Sequence, residues 1–230
     1  MLIIADKKIP EDAKRNLQNY GELILLETNG ITEESISGHP DIFFFNSPDK
    51  LIITPNLPES YKILLRKKNI SFKAGKQRVE ESYPIAACYN AVVTENFLIH
   101  RIDISDMEIL DSARHLNHIQ VRQGFTRCSL LPLRDNNFIT SDKGIYDKLV
   151  QQRMQVLQVN PHQILLPGHS NGFFGGACGI YNDCVFFLGS LTQFSDGKIV
   201  KMFLEKLGYN IIELCDGPLF DGGSVLFIAN

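Results

Sequence analysis

Short apolar runs and amphipathic stretches alternate along the chain in a fixed order, and the order recurs five times. Each unit reads as a β-branched or aromatic run, a polar turn, a second apolar run, a stretch with helical spacing, and a third extended run. The first complete unit has Phe43-Phe44-Phe45, the turn Ser47-Pro48-Asp49-Lys50, Leu51-Ile52-Ile53, a predicted helix over 58–68 and a strand over 70–73. The second has Ala87-Cys88-Tyr89, the turn Glu95-Asn96, Phe97-Leu98-Ile99, a helix over 106–116 and a strand over 119–121. In the third, residues 125–133 lead through the turn 134–137 into 138–140, a helix over 145–157 and a strand over 163–166. The fourth runs 173–180, turn 181–183, 184–188, helix 196–207 and strand 210–214.

The fifth unit is split between the two ends of the sequence. Residues 224–228 supply its leading strand and 2–5 its middle strand, followed by a helix over 10–20 and a strand over 22–26. Pairing 224–228 with 2–5 covers two strand edges that would otherwise be left open. Ile4-Ala5-Asp6-Lys7 and Ile139-Thr140-Ser141-Asp142-Lys143 occupy the same place in their units, which supports the alignment. Five units, none able to bury its own apolar face, share a core by closing into a ring. The competing reading is an ordinary α/β sheet, since alternating strands and helices are also what βαβ folds produce.

Composition narrows the class. With 44% hydrophobic residues, 21% charged residues and a net charge of −3, the 230 residues read as one globular domain over 1–230. No stretch approaches the roughly 18 apolar residues of a membrane span. An acid at position 6 and no basic leader argue against a signal peptide. The near-neutral charge lacks the basic stripe of a nucleic-acid binder. Five cysteines without metal-ligand spacing point to a reducing, cytoplasmic compartment, and no metal or cofactor is predicted. The glycines around Gly172-Phe173-Phe174-Gly175-Gly176 lack GxGxxG spacing, so close backbone approach or strand curvature explains them better than phosphate binding.

Three segments carry a resemblance. His39-Pro40-Asp41-Ile42-Phe43-Phe44 is similar to an HxDxxF motif, Gly124-Phe125-Thr126-Arg127-Cys128 to a GxxRC segment, and Asp221-Gly222-Gly223-Ser224 to an acidic-Gly-Gly stretch. Together with the five ββαβ units they resemble the pentein propeller, the pseudo-fivefold α/β fold of arginine and agmatine deiminases, dimethylarginine dimethylaminohydrolase and the amidinotransferases. A non-catalytic initiation factor shares the fold, and the sequence looks most like an uncharacterised bacterial branch.

The resemblance implies roles. Cys128 would be the nucleophile, His39 the general acid and base, Asp41 the carboxylate gripping a guanidinium, and Asp221 a second carboxylate. The order of the units departs from the enzymes, where the cysteine unit follows the histidine unit directly. Cys88 therefore has the better ring position and Cys128 the better local sequence; the usual C-terminal cysteine is missing. The chemistry needs these types: a thiolate attacks a deactivated guanidinium carbon, carboxylates bind the planar cation bidentately, and histidine moves protons near neutrality.

Further polar candidates for ligand contact are Gln123, Arg127, His169, Asn171 and Asn90. Each has a plain alternative. Cys128 reads as a buried thiol in an apolar strand, His39 as a loop cap and Asp221 as a turn residue, whereas Asp41, two residues after His39 and on the same strand face, favours a functional role for that histidine. The sequence thus leaves two functions open: a cysteine-dependent hydrolase of a guanidine or amidine compound, or a non-catalytic pentein binding a small ligand or a protein.

Overall fold

The computed structural model describes residues 1–47 and 50–228. It opens with β1 (Leu2–Asp6), α1 (Glu11–Leu17) and β2 (Glu22–Leu26), followed by α2 (Pro40–Phe43), β3 (Phe44–Asn46), β4 (Leu51–Ile53), α3 (Glu59–Lys67) and β5 (Phe72–Ala74). Then come β6 (Val92–Val93), β7 (Phe97–His100), α4 (Met107–Ser112) and β8 (Asn117–Gln120). The third unit holds α5 (Thr126–Ser129), β9 (Leu130–Leu133), β10 (Asn137–Thr140), α6 (Lys143–Gln151) and β11 (Gln155–Gln158). The last elements are β12 (Cys178–Tyr181), β13 (Cys184–Phe187), α7 (Gly197–Lys206), β14 (Asn210–Glu213) and β15 (Leu226–Ile228).

Among the described residues the strands pair as five three-stranded sheets, ordered β15-β1-β2, β3-β4-β5, β6-β7-β8, β9-β10-β11 and β12-β13-β14. In each, the middle strand is antiparallel to its leading strand. It is parallel to the third strand, which the intervening helix makes possible by carrying the chain back. The expected pairing of the two ends is present, with Leu2 opposite Ile228 and Ile4 opposite Leu226. Middle strands are buried along almost their whole length, whereas third strands are half exposed. Phe227 of β15 packs on Phe186 of β13 (ring centroids 4.7 Å apart) and on Tyr181 of β12 (5.6 Å), joining the split unit to the fourth.

Three helices end the same way. Asn69, Arg153 and Gly208 each take a left-handed conformation (φ 57°, 60° and 75°) just past α3, α6 and α7. The next residue's N–H then reaches back five positions: Ile70 to Leu65 O, Met154 to Leu149 O and Tyr209 to Leu204 O. This is the Schellman closure, which satisfies a terminal carbonyl and turns the chain into the third strand.

Several expected boundaries move. In the third unit α6 stops at Gln151 and the third strand is β11, not 163–166; residues 161–163 form a short 3-10 turn instead. The left-handed Arg153 ends the helix, and the outward glutamines of β11 hide its strand pattern. Every leading strand also starts later than its apolar run. A single helical turn precedes β3 and β9, and 3-10 turns at Ile85–Ala87 and Gly175–Ala177 come before β6 and β12. Cys128 consequently sits on α5, not in a strand, and His39 caps α2 on which Asp41 lies, so the two do not share a strand face. Cys88 and Tyr89 precede β6, and Ser224 (φ 72°) precedes β15. Ser47 and Lys50 close the first hairpin (N···O 3.0 Å); Pro48 and Asp49 of that expected turn lie outside the described residues.

Candidate active site

The helical turns before the leading strands carry the polar residues and bond to one another. Pro40 opens α2, where its missing N–H has no helical partner to lose. Asp41 N–H donates to Gly223 O (3.1 Å), tying the turn before β3 to the loop before β15. Asn90 Nδ2 donates to Asp41 O (3.1 Å), and Asn90 accepts from the third unit at both its carbonyls: Arg127 N to the backbone (2.9 Å) and Cys128 N to the side chain (3.1 Å). Arg127 Nη1 donates to Gly175 O (3.0 Å) before β12, and Ser224 N to Gly176 O (2.8 Å). Followed in turn, these bonds pass through all five units and return to the first.

Inside that circuit the reactive side chains meet. Cys128 Sγ lies 3.0 Å from Asp41 Oδ2, which also accepts from Ser224 Oγ (2.8 Å), and Asn90 Nδ2 approaches the sulfur at 3.3 Å. One ligand atom each from His39, Asp41 and Cys128 lies within 4.8 Å of the other two. Asp221 holds the loop beside them, accepting from Phe173 N (2.8 Å) and Gly223 N (3.1 Å), so its turn role is real as well. Glycine is required here: a Cβ at Gly176 would strike the Asp221 carboxylate, and one at Gly223 (φ 63°) would strike His39. Gly175 and Gly176 thus serve close approach, as their spacing predicted.

Asp6, at the end of β1, completes the cluster. Its Oδ2 is 3.8 Å from His39 Nε2, and both residues are about 1% exposed. Sequence reading passed over Asp6 because it reads as a strand end, although its match to Asp142 marked the position. Among the described residues Asp6 Oδ2, His39 Nδ1 and Asp41 Oδ1 are buried polar atoms without a hydrogen-bond partner.

Burial dominates the electrostatics. It pushes the His39 imidazole down to about 3. It lifts Asp6 to about 6, against a backbone bond from Lys8, and Asp221 to about 7, with the Asp41 charge adding to the rise. Asp41 is raised by burial despite the Cys128 bond and the Arg127 charge. The Cys128 thiol is driven well up, first by burial and then by Asp41 and Asp221. Each of these shifts moves its group toward the neutral form, and a positive charge entering the site would oppose the shifts of the acids and the thiol.

A cavity of about 170 Å³ reaches this cluster. Asp41, Arg127 and Ser224 line it, and its walls take Phe45, Ala91, Pro132, Ile180 and Phe227 from the five leading segments. Asn90 and Arg127 are thus placed with the cluster. Gln123 is not: it donates to Asp142 (3.3 Å) and accepts from Phe125 N (3.1 Å). His169 lies at the surface against Ser35 (2.9 Å) and Glu33 (3.2 Å), and Asn171 bonds Gly172 O (3.0 Å). Cys88 faces a separate cleft with Asp106, its thiol pushed up to about 12 by burial.

Comparison with known proteins places this geometry. A profile described as "Family of unknown function (DUF6873)" matches residues 4–226. The chain belongs to that family. No curated protein matches the DUF6873 chain significantly in sequence. Among solved structures it is similar to a DDAH mutant from Pseudomonas aeruginosa complexed with citrulline, at a TM-score of 0.55 and 14% identity over 92% of this chain and 91% of that one. It is similar also to agmatine deiminase from C. jejuni, with TM-score 0.55 and 12% identity over 93% and 74%. An amidinotransferase of saxitoxin biosynthesis from Microseira wollei gives 0.54 and 11% over 94% and 88%. The fold is that of the pentein superfamily, as the sequence resemblance implied. Among the described residues no helix is long and apolar enough to cross a membrane.

Proposed function

We propose that this DUF6873 chain is a cysteine-dependent hydrolase that cleaves a C–N bond of a guanidine or amidine compound. The observation that carries the reading is the meeting of Cys128, Asp41 and His39 from two separate units beside the cavity. The circuit of hydrogen bonds supports a single domain closed as a five-bladed ring around that cavity. Five free cysteines are consistent with a cytoplasmic setting.

The residues fit the chemistry. A guanidinium cation satisfies the unpartnered Asp41 Oδ1 and neutralises a carboxylate that burial disfavours. Its charge also lowers the thiol pKa, so substrate switches on the nucleophile. The Cys128 proton passes to neutral His39 as sulfur bonds the guanidinium carbon; the imidazolium returns it to the departing amine as the C–N bond breaks. Water then adds to the carbon bonded to sulfur, giving one proton to His39. The C–S bond breaks as the added hydroxyl becomes a carbonyl, its proton restores the Cys128 thiol, and His39 releases its proton to solvent. The product is a ureido compound from a guanidine or an amide from an amidine. The Asp6 carboxylate, 3.8 Å from His39 Nε2, faces the imidazolium while it exists.

The test is incubation with arginine, agmatine, methylated arginines and simple amidines, reading ureido product and released amine. Product formed by the wild type and lost with Cys128→Ser supports the reaction. No product from any of them, with Cys128 labelled by iodoacetamide no faster than unfolded cysteine, rejects it. A second reading has its own observation: Cys128 is 3% exposed and doubly bonded, as in a structural core. On that reading the chain is a non-catalytic pentein, and guanidines or amines shift its melting temperature without turning over.

A further inference from the structure

We propose that Cys128, His39 and Asp41 form a binding site for a thiophilic transition metal ion of the zinc type. The donors are a sulfur, an imidazole nitrogen and a carboxylate oxygen, each buried and within 4.8 Å of the others. A tetrahedral zinc site holds such donors at about 2.0–2.3 Å from the metal, hence roughly 3.5 Å from one another. Cys128 Sγ and Asp41 Oδ2 already stand 3.0 Å apart, and a ring nitrogen of His39 lies within 4.8 Å of the sulfur and carboxylate donors. Calcium or magnesium would need a cage of oxygens, which a thiol and an imidazole do not provide.

Two observations beyond the clustering point to a ligand. His39 Nδ1 and Asp41 Oδ1 are buried without hydrogen-bond partners, so each has polar capacity that the protein leaves unmet. The ligand residues are also held from behind: Asn90 bonds the sulfur and Ser224 the carboxylate, the orienting contacts metal ligands depend on. Asp221 is outside the set, both its oxygens being engaged by backbone N–H groups. Binding releases the thiol proton to solvent, and thiolate plus carboxylate match the charge of a divalent ion. Three protein ligands leave one position for water or a small anion, and Asp41 of the three also lines the cavity. No metal-ligand spacing marks these residues along the chain, because Cys128 and Asp41 are 87 residues apart.

The inference uses residues of the proposed reaction but not its chemistry, and stands or falls on metal binding alone. Cobalt(II) titration of the chelator-stripped full-length protein tests it. One equivalent should produce a thiolate-to-cobalt charge-transfer band, retained in Cys88→Ser and absent in Cys128→Ser. Zinc should displace the cobalt. Asn90→Ala or Ser224→Ala, which keep all three ligands, should weaken affinity about 10–100-fold with the circular dichroism spectrum unchanged. Should Cys128→Ser misfold, Asp41→Asn serves in its place. A wild type without the band, or a band that survives in the ligand variants, overturns the site. Cobalt binding without guanidine cleavage keeps the site and rejects only the reaction.

Discussion

His100 shows how a single side chain is fixed by what surrounds it. It is fully buried, with Nε2 2.9 Å from Gly124 O and Nδ1 2.6 Å from Ser105 Oγ. A carbonyl only accepts, so Nε2 carries the proton and Ser105 donates to Nδ1. Burial lowers its pKa to about 4; the Arg101 charge adds to this and the Asp103 charge opposes it. The folded state therefore prefers neutral imidazole, while the unfolded chain binds a proton below about 6.5. Stability is present in full above that value and is lost as pH falls toward 4, by about 3 kcal/mol for this residue. Urea denaturation between pH 7 and pH 4 checks it: a His100→Asn variant should lose that much less over the range. An equal slope in both proteins would assign the acid sensitivity elsewhere. Nothing in the sequence pairs His100 with Ser105 and Gly124, which become its neighbours through the fold. For the same reason His39 and Asp41 were legible from a short motif, and Asp6, on the separate strand β1, was not.

Elements were legible where burial gave them an uninterrupted apolar run. The middle strands Leu51–Ile53 and Leu2–Asp6 are of this kind, and both lie where the pattern put them. One-turn helices such as α2 and α5 are shorter than the window that reveals a 3.6-residue period, so their residues were absorbed into the strands they precede. The end of α6 was missed for a different reason, since Arg153 takes the left-handed position usually held by glycine, as Asn69 does after α3. That yields a paired expectation. Arg153→Gly removes the Cβ penalty of the left-handed position and should raise stability by about 0.5–1 kcal/mol. Gly208→Ala, at the matching position of α7 with no close neighbour in the way, should lower it by about as much. Denaturation midpoints of both variants decide the point; changes of the same sign would show that the two ends are not equivalent.

At the scale of the molecule, the site depends on the joining of the chain's two ends. Asp221, Gly223 and Ser224 come from the loop immediately before β15, and β15 is held by β1 on one side and by aromatic contacts to the fourth unit on the other. Ser224 and Gly223 in turn bond Asp41, whose carboxylate holds the Cys128 thiol. Loosening β15 should therefore expose a cysteine far from it in sequence. Phe227→Ala removes the ring packed on Phe186 and Tyr181 and should cost about 3–5 kcal/mol. If Cys128 is reached by reagent only when this part of the molecule opens, its alkylation rate rises by the same equilibrium factor, about 10²–10³-fold or more. Site-resolved mass spectrometry after iodoacetamide treatment separates Cys128 from the other four cysteines. Half-buried Cys184, on β13 beside the mutated contact, reports purely local loosening. A Cys128 rate unchanged while Cys184 accelerates would mean that reagent enters through the cavity, past Arg127, and that the site stays assembled when the closing strand gives way.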